Sequence, residues 1–188
     1  MSLLLKSIYT FYRGFGFFAL VLSVLGGLLL SKWNYILLGI YLFGEFVLNV
    51  LLKKISKAIM GNKTFPIIGK GTRPNNAKSC GFFTPRTKIK KLMKSFGMPS
   101  GHSQTFAFLA TLIGLYLYNN NDEDEYKTYK YIALVVLTLS AMYMRVYIEN
   151  CHTVQQTIVG SIIGVLSAII ITKLYDNPFS INQKPLKA

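Results

Sequence analysis

Apolar blocks long enough to cross a bilayer limit what this chain can become before any other feature is considered. A transmembrane helix needs about 20 mostly apolar residues. Five blocks approach that length, at about 14–31, 33–52, 102–118, 129–146 and 153–174. A soluble domain of this size would interleave its apolar residues with charge at a regular period; here 52% of the residues are apolar and they run in blocks. The expected fold is an all-α integral membrane protein. It would have about five transmembrane helices in a single domain over residues 1–188, with a long connector at 53–101. Lys6 and Arg13 precede the first block as they would in a signal peptide. That block is long for a cleavable segment and lacks a small-x-small site before Trp33, so it reads as a retained span.

The net charge of +14 would suggest nucleic acid in a soluble protein. Its placement excludes that partner, because 12 of the 21 basic residues lie between Lys53 and Lys94, in a connector without Asp or Glu. They crowd one membrane face, where they suit anionic headgroups or a phosphate-bearing substrate. Following the spans, the turn at 145–152 returns to the same face, which holds 15 Lys and Arg against six opposite. The positive-inside rule makes that face cytoplasmic, unless the basic residues are there to bind phosphate. Within the connector, "TPRTKIKKLMKSFG" has Thr84 as N-cap, Pro85 at the first helical position and Gly97 as terminator. It predicts a short amphipathic basic helix on the membrane surface. Cys80 and Cys151 do not have metal-site spacing. The plainer reading is two unpaired thiols; a bond between them would require that this face lie in an oxidising compartment.

Both histidines of the chain fall on this face, His102 in "GMPSGHSQ" and His152 in "CHTVQQ". Pro99, Ser100 and Gly101 precede a span whose first backbone amides lack intrahelical partners, a ready anion site that Gly101 leaves open to close approach. His102 stands in its first turn, able to give or take a proton. His152 and Gln156 are four residues apart and share a helix face, so the amide can orient the imidazole. Gly160, Gly164 and Ala168 continue that row as a stripe of small residues fit for close helix packing. Glu45, Asn49 and Lys53 follow at intervals of four on the second span, Lys53 nearest the basic face, while Glu45 serves a buried partner or a functional role. Arg73 in "GKGTRPN" and Arg145 in "MRVY" supply the forks that match phosphate oxygens. The plainer roles of these residues are N-caps, interfacial side chains and helix-to-helix contacts. Together they form a set suited to phosphoryl transfer without a metal or other cofactor, since no acidic cluster on this face would hold Mg²⁺.

The order of lysine, "RP", "PSGH" and then Arg followed by His resembles the type 2 phosphatidic acid phosphatase superfamily over roughly residues 49–164. The last pattern is most similar to dolichyl-diphosphatase-type members, which hydrolyse polyprenyl pyrophosphates in the endoplasmic reticulum of eukaryotes. The resemblance implies that His152 is the nucleophile forming a phosphohistidine and that His102 protonates the leaving group. It implies that Arg73, Arg145, a lysine and the backbone at Ser100 and Gly101 hold the phosphate. The lysine is Lys53 by its context, with Lys54, Lys57 and Lys70 left open. Three departures stand out: six residues separate Arg145 from His152 where the family has five, Gln156 replaces an aspartate, and five spans are counted where six are usual. The expected partners are a lipid phosphate or pyrophosphate and the bilayer itself. A protein that binds anionic lipid with little turnover is the alternative. A transporter fits less well, because the polar residues gather at one interface rather than along a midplane path.

Overall fold

The computed structural model describes residues 3–75, 77, 96–119, 125–175 and 177–179, with side chains from residue 7 onward. Long helices follow from the apolar blocks. They are α1 (Leu3–Leu29), α2 (Trp33–Met60), α3 (Gly101–Asn119), α4 (Lys127–Tyr143) and α5 (Val154–Leu174). Two-residue strands β1 (Thr64–Phe65) and β2 (Gly69–Lys70) pair antiparallel between α2 and α3. Segments of α1, α2 and α5, and α4 extended to Ile148, are long and apolar enough to cross a membrane. At 1.5 Å per residue, the 19 residues of α3 reach about 28 Å, close to the hydrocarbon thickness. Its polar residues turn toward neighbouring helices, with Ser103 and Gln104 buried.

Burial is distributed as lipid demands. Leu22, Leu29, Phe46, Val135 and Leu166 face outward, while Arg145, Glu149, His152, Gln104 and Gln156 lie inside. In water this arrangement would expose large apolar areas and bury charge. In a bilayer the outward residues meet hydrocarbon and the polar ones find partners within the bundle. The helical membrane fold expected from the sequence is therefore observed.

The boundaries differ in an informative way. Helix α1 begins near residue 3 rather than 14, so Tyr9, Tyr12 and Arg13 belong to its inner face. Their polar tips mask the apolar count while their bodies pack inward. Tyr12 bonds Ser140 at 2.6 Å, and Phe15 stacks on Phe106 with ring centroids 3.9 Å apart. Helix α2 runs to Met60, beyond 52, carrying Lys53, Lys54 and Lys57 on its last turns. The surface helix expected at 84–97 lies outside the described residues apart from Phe96 and Gly97, as does Cys80. Cys151 is buried and disulfide-bonded.

The core gathers Tyr41, Leu42, Phe108, Leu109, Leu112 and Ala168. Helices α3 and α5 make the most extensive contact in the bundle. The glycine stripe explains how closely they approach. A Cβ at Gly160 would strike the Ser100 carbonyl. One at Gly164 would strike the Gln104 carbonyl and lie 2.9 Å from the Phe108 nitrogen. These obstacles are backbone, so side-chain rotation cannot relieve them. Gly164→Val should therefore destabilise the protein by at least the roughly 1–3 kcal/mol typical of overpacking. Thermal unfolding in detergent would show this as a lowered Tm; an unchanged Tm would contradict the close packing.

Candidate active site

Helices α3 and α5 run in the same direction, so the two histidines meet at one end. Gly101 opens α3, and Thr153 caps α5, its hydroxyl accepting from the Gln156 amide nitrogen at 3.3 Å. The starts are also joined directly, since Ser100 N–H donates to the Gln156 carbonyl at 3.0 Å. Two helix N-termini, each with partial positive charge, thus face the same region. Between them, α1 and α2 lies a cavity of about 570 Å³. Lys53, Arg73, Gly101, His102, His152 and Arg13 line its polar end. Phe15, Phe17, Leu20, Leu42, Phe43 and Phe46 line an apolar groove, and Glu45, Asn49 and Thr105 also lie on the wall.

Each residue singled out in the sequence has a place. His102, His152, Lys53, Arg73 and Gly101 lie on the cavity wall. Of the lysines left open, Lys53 is the one on that wall; Lys70 instead offers its backbone carbonyl to Gln156. Ser100, Gln156 and Arg145 sit behind the wall, all three buried. The Ser100 hydroxyl pairs with that of Ser103 at 3.1 Å, so this serine shapes the turn, and Gly101 after it lies on the cavity wall. The Arg145 guanidinium is engaged by Glu149 and donates to the Tyr12 carbonyl at 3.0 Å. Glu45 accepts from Gln104 at 2.7 Å, and Gln104 in turn accepts from Asn49 at 2.8 Å. That chain ties α2 to the first turn of α3, just after His102.

The extra residue between Arg145 and His152 has a visible form. Residues Met144–Ile148 are π-helical, and Glu149 N–H donates to the Met144 carbonyl at 2.9 Å, five residues back. A π-turn is how a helix absorbs one inserted residue. It brings Glu149 beside Arg145 and leaves the Arg145 carbonyl to accept from Cys151 N–H at 3.0 Å.

Gln156 determines the state of the nucleophile candidate. Its side-chain nitrogen lies 2.8 Å from the Lys70 carbonyl and 2.9 Å from the Thr72 carbonyl. Carbonyls only accept, so the amide orientation is assigned by its partners. The Gln156 oxygen must then face His152 Nδ1, 3.1 Å away. That nitrogen carries the hydrogen, and Nε2 keeps its lone pair. Burial, followed by the nearby charges of Arg73, Lys53 and Arg145, holds the His152 imidazole well below its ordinary value of 6.5, against the opposing pull of the Gln156 bond. His152 is therefore neutral at neutral pH. For His102, Nε2 lies 2.9 Å from the Arg13 carbonyl, an acceptor, so Nε2 carries the hydrogen and Nδ1 keeps the lone pair.

Sequence reasoning missed several of these positions. In the sequence Arg13 reads as a flank of the first block, although an arginine inside a span is a signal in itself. The hairpin gave no warning, because two-residue strands carry no period. Gly71, just after it, accepts from Gly97 and Met98 N–H at 2.8 and 3.2 Å, closing the long connector at its base. Arg73 follows, and its guanidinium donates to the Cys151 carbonyl at 3.2 Å.

Among the described residues, no group of three or more His, Cys, Asp or Glu is placed to hold a metal ion. What the geometry defines is a helical membrane protein with a cationic, two-histidine cavity open to an apolar groove. Residues 34–180 match the model of the PAP2 superfamily. The chain belongs to that superfamily, whose members are generally phosphatases, and its membership supports a phosphoric ester hydrolase acting on lipid phosphates. No curated protein and no solved structure matches the chain.

The Gln156 network makes a counterintuitive expectation. Gln156→Glu adds the acidic character found in most of the family, yet it removes the donors to the Lys70 and Thr72 carbonyls. Each buried acceptor left unpaired costs about 1–3 kcal/mol. Loss of thermal stability and of activity should follow. A variant as stable as the wild type and more active would show that charge at this position outweighs the amide's bonds.

Proposed function

We propose that the protein is a metal-independent phosphatase of a lipid phosphate or diphosphate, with polyprenyl diphosphates the first candidates. The observation carrying this reading is the cavity itself. Its polar end joins two histidines to Lys53 and Arg73 at converging helix N-termini, and its remainder is a groove of aromatic and aliphatic side chains. A phosphate would lie among the cations and a hydrocarbon chain along the groove.

The proposed chemistry uses both histidines. His152 Nε2 attacks the phosphorus, and the bond from phosphorus to the leaving oxygen breaks with its electron pair on that oxygen. His102 Nδ1 gains a proton as the anionic substrate enters and passes it to the leaving oxygen. Water then attacks the phosphohistidine, returning one proton to His102, and phosphate departs. Arg73, Lys53 and the first amides of α3 stabilise the charge on the transferring group, while Arg145 buttresses the wall behind them. Positioning and charge stabilisation supply most of what phosphoryl transfer needs.

Purified protein should release inorganic phosphate from such lipids in the presence of EDTA, and His152→Ala should reduce release to background. Full activity in that variant would end the assignment. Binding of anionic lipid without turnover by the wild type would instead favour a binding protein.

The pH dependence of kcat/KM reports the free enzyme. The lowered pKa of His152 keeps its lone pair available as pH falls past 6.5, and the loss of activity that comes from protonating it should appear only when the pH drops through that lower value. The acidic limb is thus expected below pH 6.5. A limb at 6.5 or above would describe a solvated imidazole and contradict the buried site.

A further inference from the structure

The apolar surface of α2 does not stop where its apolar block ends in the sequence, near residue 52. Leu51, Ile55 and Ile59 follow at intervals of four and all three are exposed. A lipid-facing column thus continues for about two turns past that limit. Lys54 and Lys57, also exposed, flank it. Basic side chains beside apolar surface at the end of a span lay their stems along hydrocarbon and reach out to headgroups. The edge of the bilayer on this face therefore lies at the last turns of α2, just before the hairpin begins at Thr64.

The hairpin carries the same two kinds of residue. Its tip is Pro66, Ile67 and Ile68, with Ile67 88% and Ile68 44% exposed. A tip this apolar is unfavourable in water. Its base rests on the exposed side of the first turn of α5, where a Cβ added at Gly69 would lie 3.3 Å from the Gln155 side chain. The lipid-facing Ile158 is three residues along that helix, a rise of about 5 Å. Lys70 pairs with Thr64, next to Lys63, so two exposed lysines share the base while the isoleucines occupy the tip. Residues 53–101 hold no Asp or Glu to neutralise them. Apolar tip, basic base and a neighbouring lipid-facing column together match a membrane interface with negative headgroups.

We propose that the β1–β2 hairpin is a membrane anchor, in which Ile67 and Ile68 enter the bilayer interface and Lys63 and Lys70 hold the headgroups of anionic lipids. The partner is the bilayer surface, distinct from a ligand in the cavity, and the assignment does not depend on the phosphatase reading. The hairpin runs directly into the site. The carbonyls of Lys70, Gly71 and Thr72 accept from Gln156, and Arg73 follows. The anchor thereby holds the loop that carries Arg73 at headgroup depth.

The test uses the full-length protein in nanodiscs. Trp33 is the one tryptophan of the chain, so Ile67→Trp in a Trp33→Phe background gives a single reporter. In phosphatidylcholine its emission should be blue-shifted and quenched by lipids brominated on the acyl chains. Emission like that of tryptophan in water, unquenched by those lipids, would overturn the inference. Brominated phosphatidylglycerol should quench at about fivefold lower mole fraction than brominated phosphatidylcholine, the preference that one interfacial lysine supplies. Adding Lys63→Gln and Lys70→Gln should bring the two lipids to equal potency while the blue shift remains. Equal potency before those changes would also overturn it. A wild-type measurement guards against a variant that fails to fold. Acetylation of Lys63 and Lys70 by a water-soluble reagent, read by mass spectrometry, should slow about fivefold when phosphatidylglycerol replaces phosphatidylcholine; an unchanged rate at both lysines would refute the anchor.

Discussion

The site depends on how closely α3 and α5 approach. Gly160 lies against the backbone of Ser100, and Gly164 against that of Gln104 and Phe108. Side chains at these positions would hold the helices apart. Their closeness lets Ser100 N–H reach the Gln156 carbonyl, and it aligns the two helix starts so that His102 and His152 share one cavity. Without hydrophobic force between helices in lipid, small residues and such bonds are what hold a bundle together. The same contact therefore stabilises the fold and assembles the site.

A second layer fixes the imidazoles. Gln156 links α5 to the carbonyls of Lys70, Gly71 and Thr72, and through them to Arg73. One amide thus positions the nucleophile candidate and the loop that carries its neighbouring arginine. An aspartate could accept from His152 but could not donate to those carbonyls. The glutamine is suited to the backbone it faces. Likewise the π-turn at Met144–Ile148 and Glu149 form one device, in which the inserted residue lengthens the turn and the acid balances the arginine brought inside.

Much of this was legible in the sequence, and the reasons differ by feature. The spans were visible because lipid requires long apolar runs, and the histidines because alternating spans return them to one face. The pairing of His152 with Gln156 followed from helical spacing alone. Arg13 was hidden because amphipathic first turns blur the start of an apolar block. The Gln104 bond to Glu45 was hidden because it joins residues 59 apart. The extra residue before His152 could be counted in the sequence, but its conversion into a π-turn depends on packing around Arg145.

Charge inside a membrane must be met by partners, and the arrangement of those partners reveals which groups serve structure. Arg145 is held by Glu149 and the Tyr12 carbonyl, behind the cavity wall. Lys53, Arg73 and Arg13 line that wall, with one carboxylate of the wall, Glu45, already engaged by Gln104. The positive charge gathered at the polar end suits an anion. A hydrocarbon chain on that anion would occupy the groove between α1 and α2, where Phe17, Leu20, Phe43 and Phe46 offer it apolar contact. The cationic end and the apolar groove thus suit the ligand proposed above, anionic at one end and apolar along the rest.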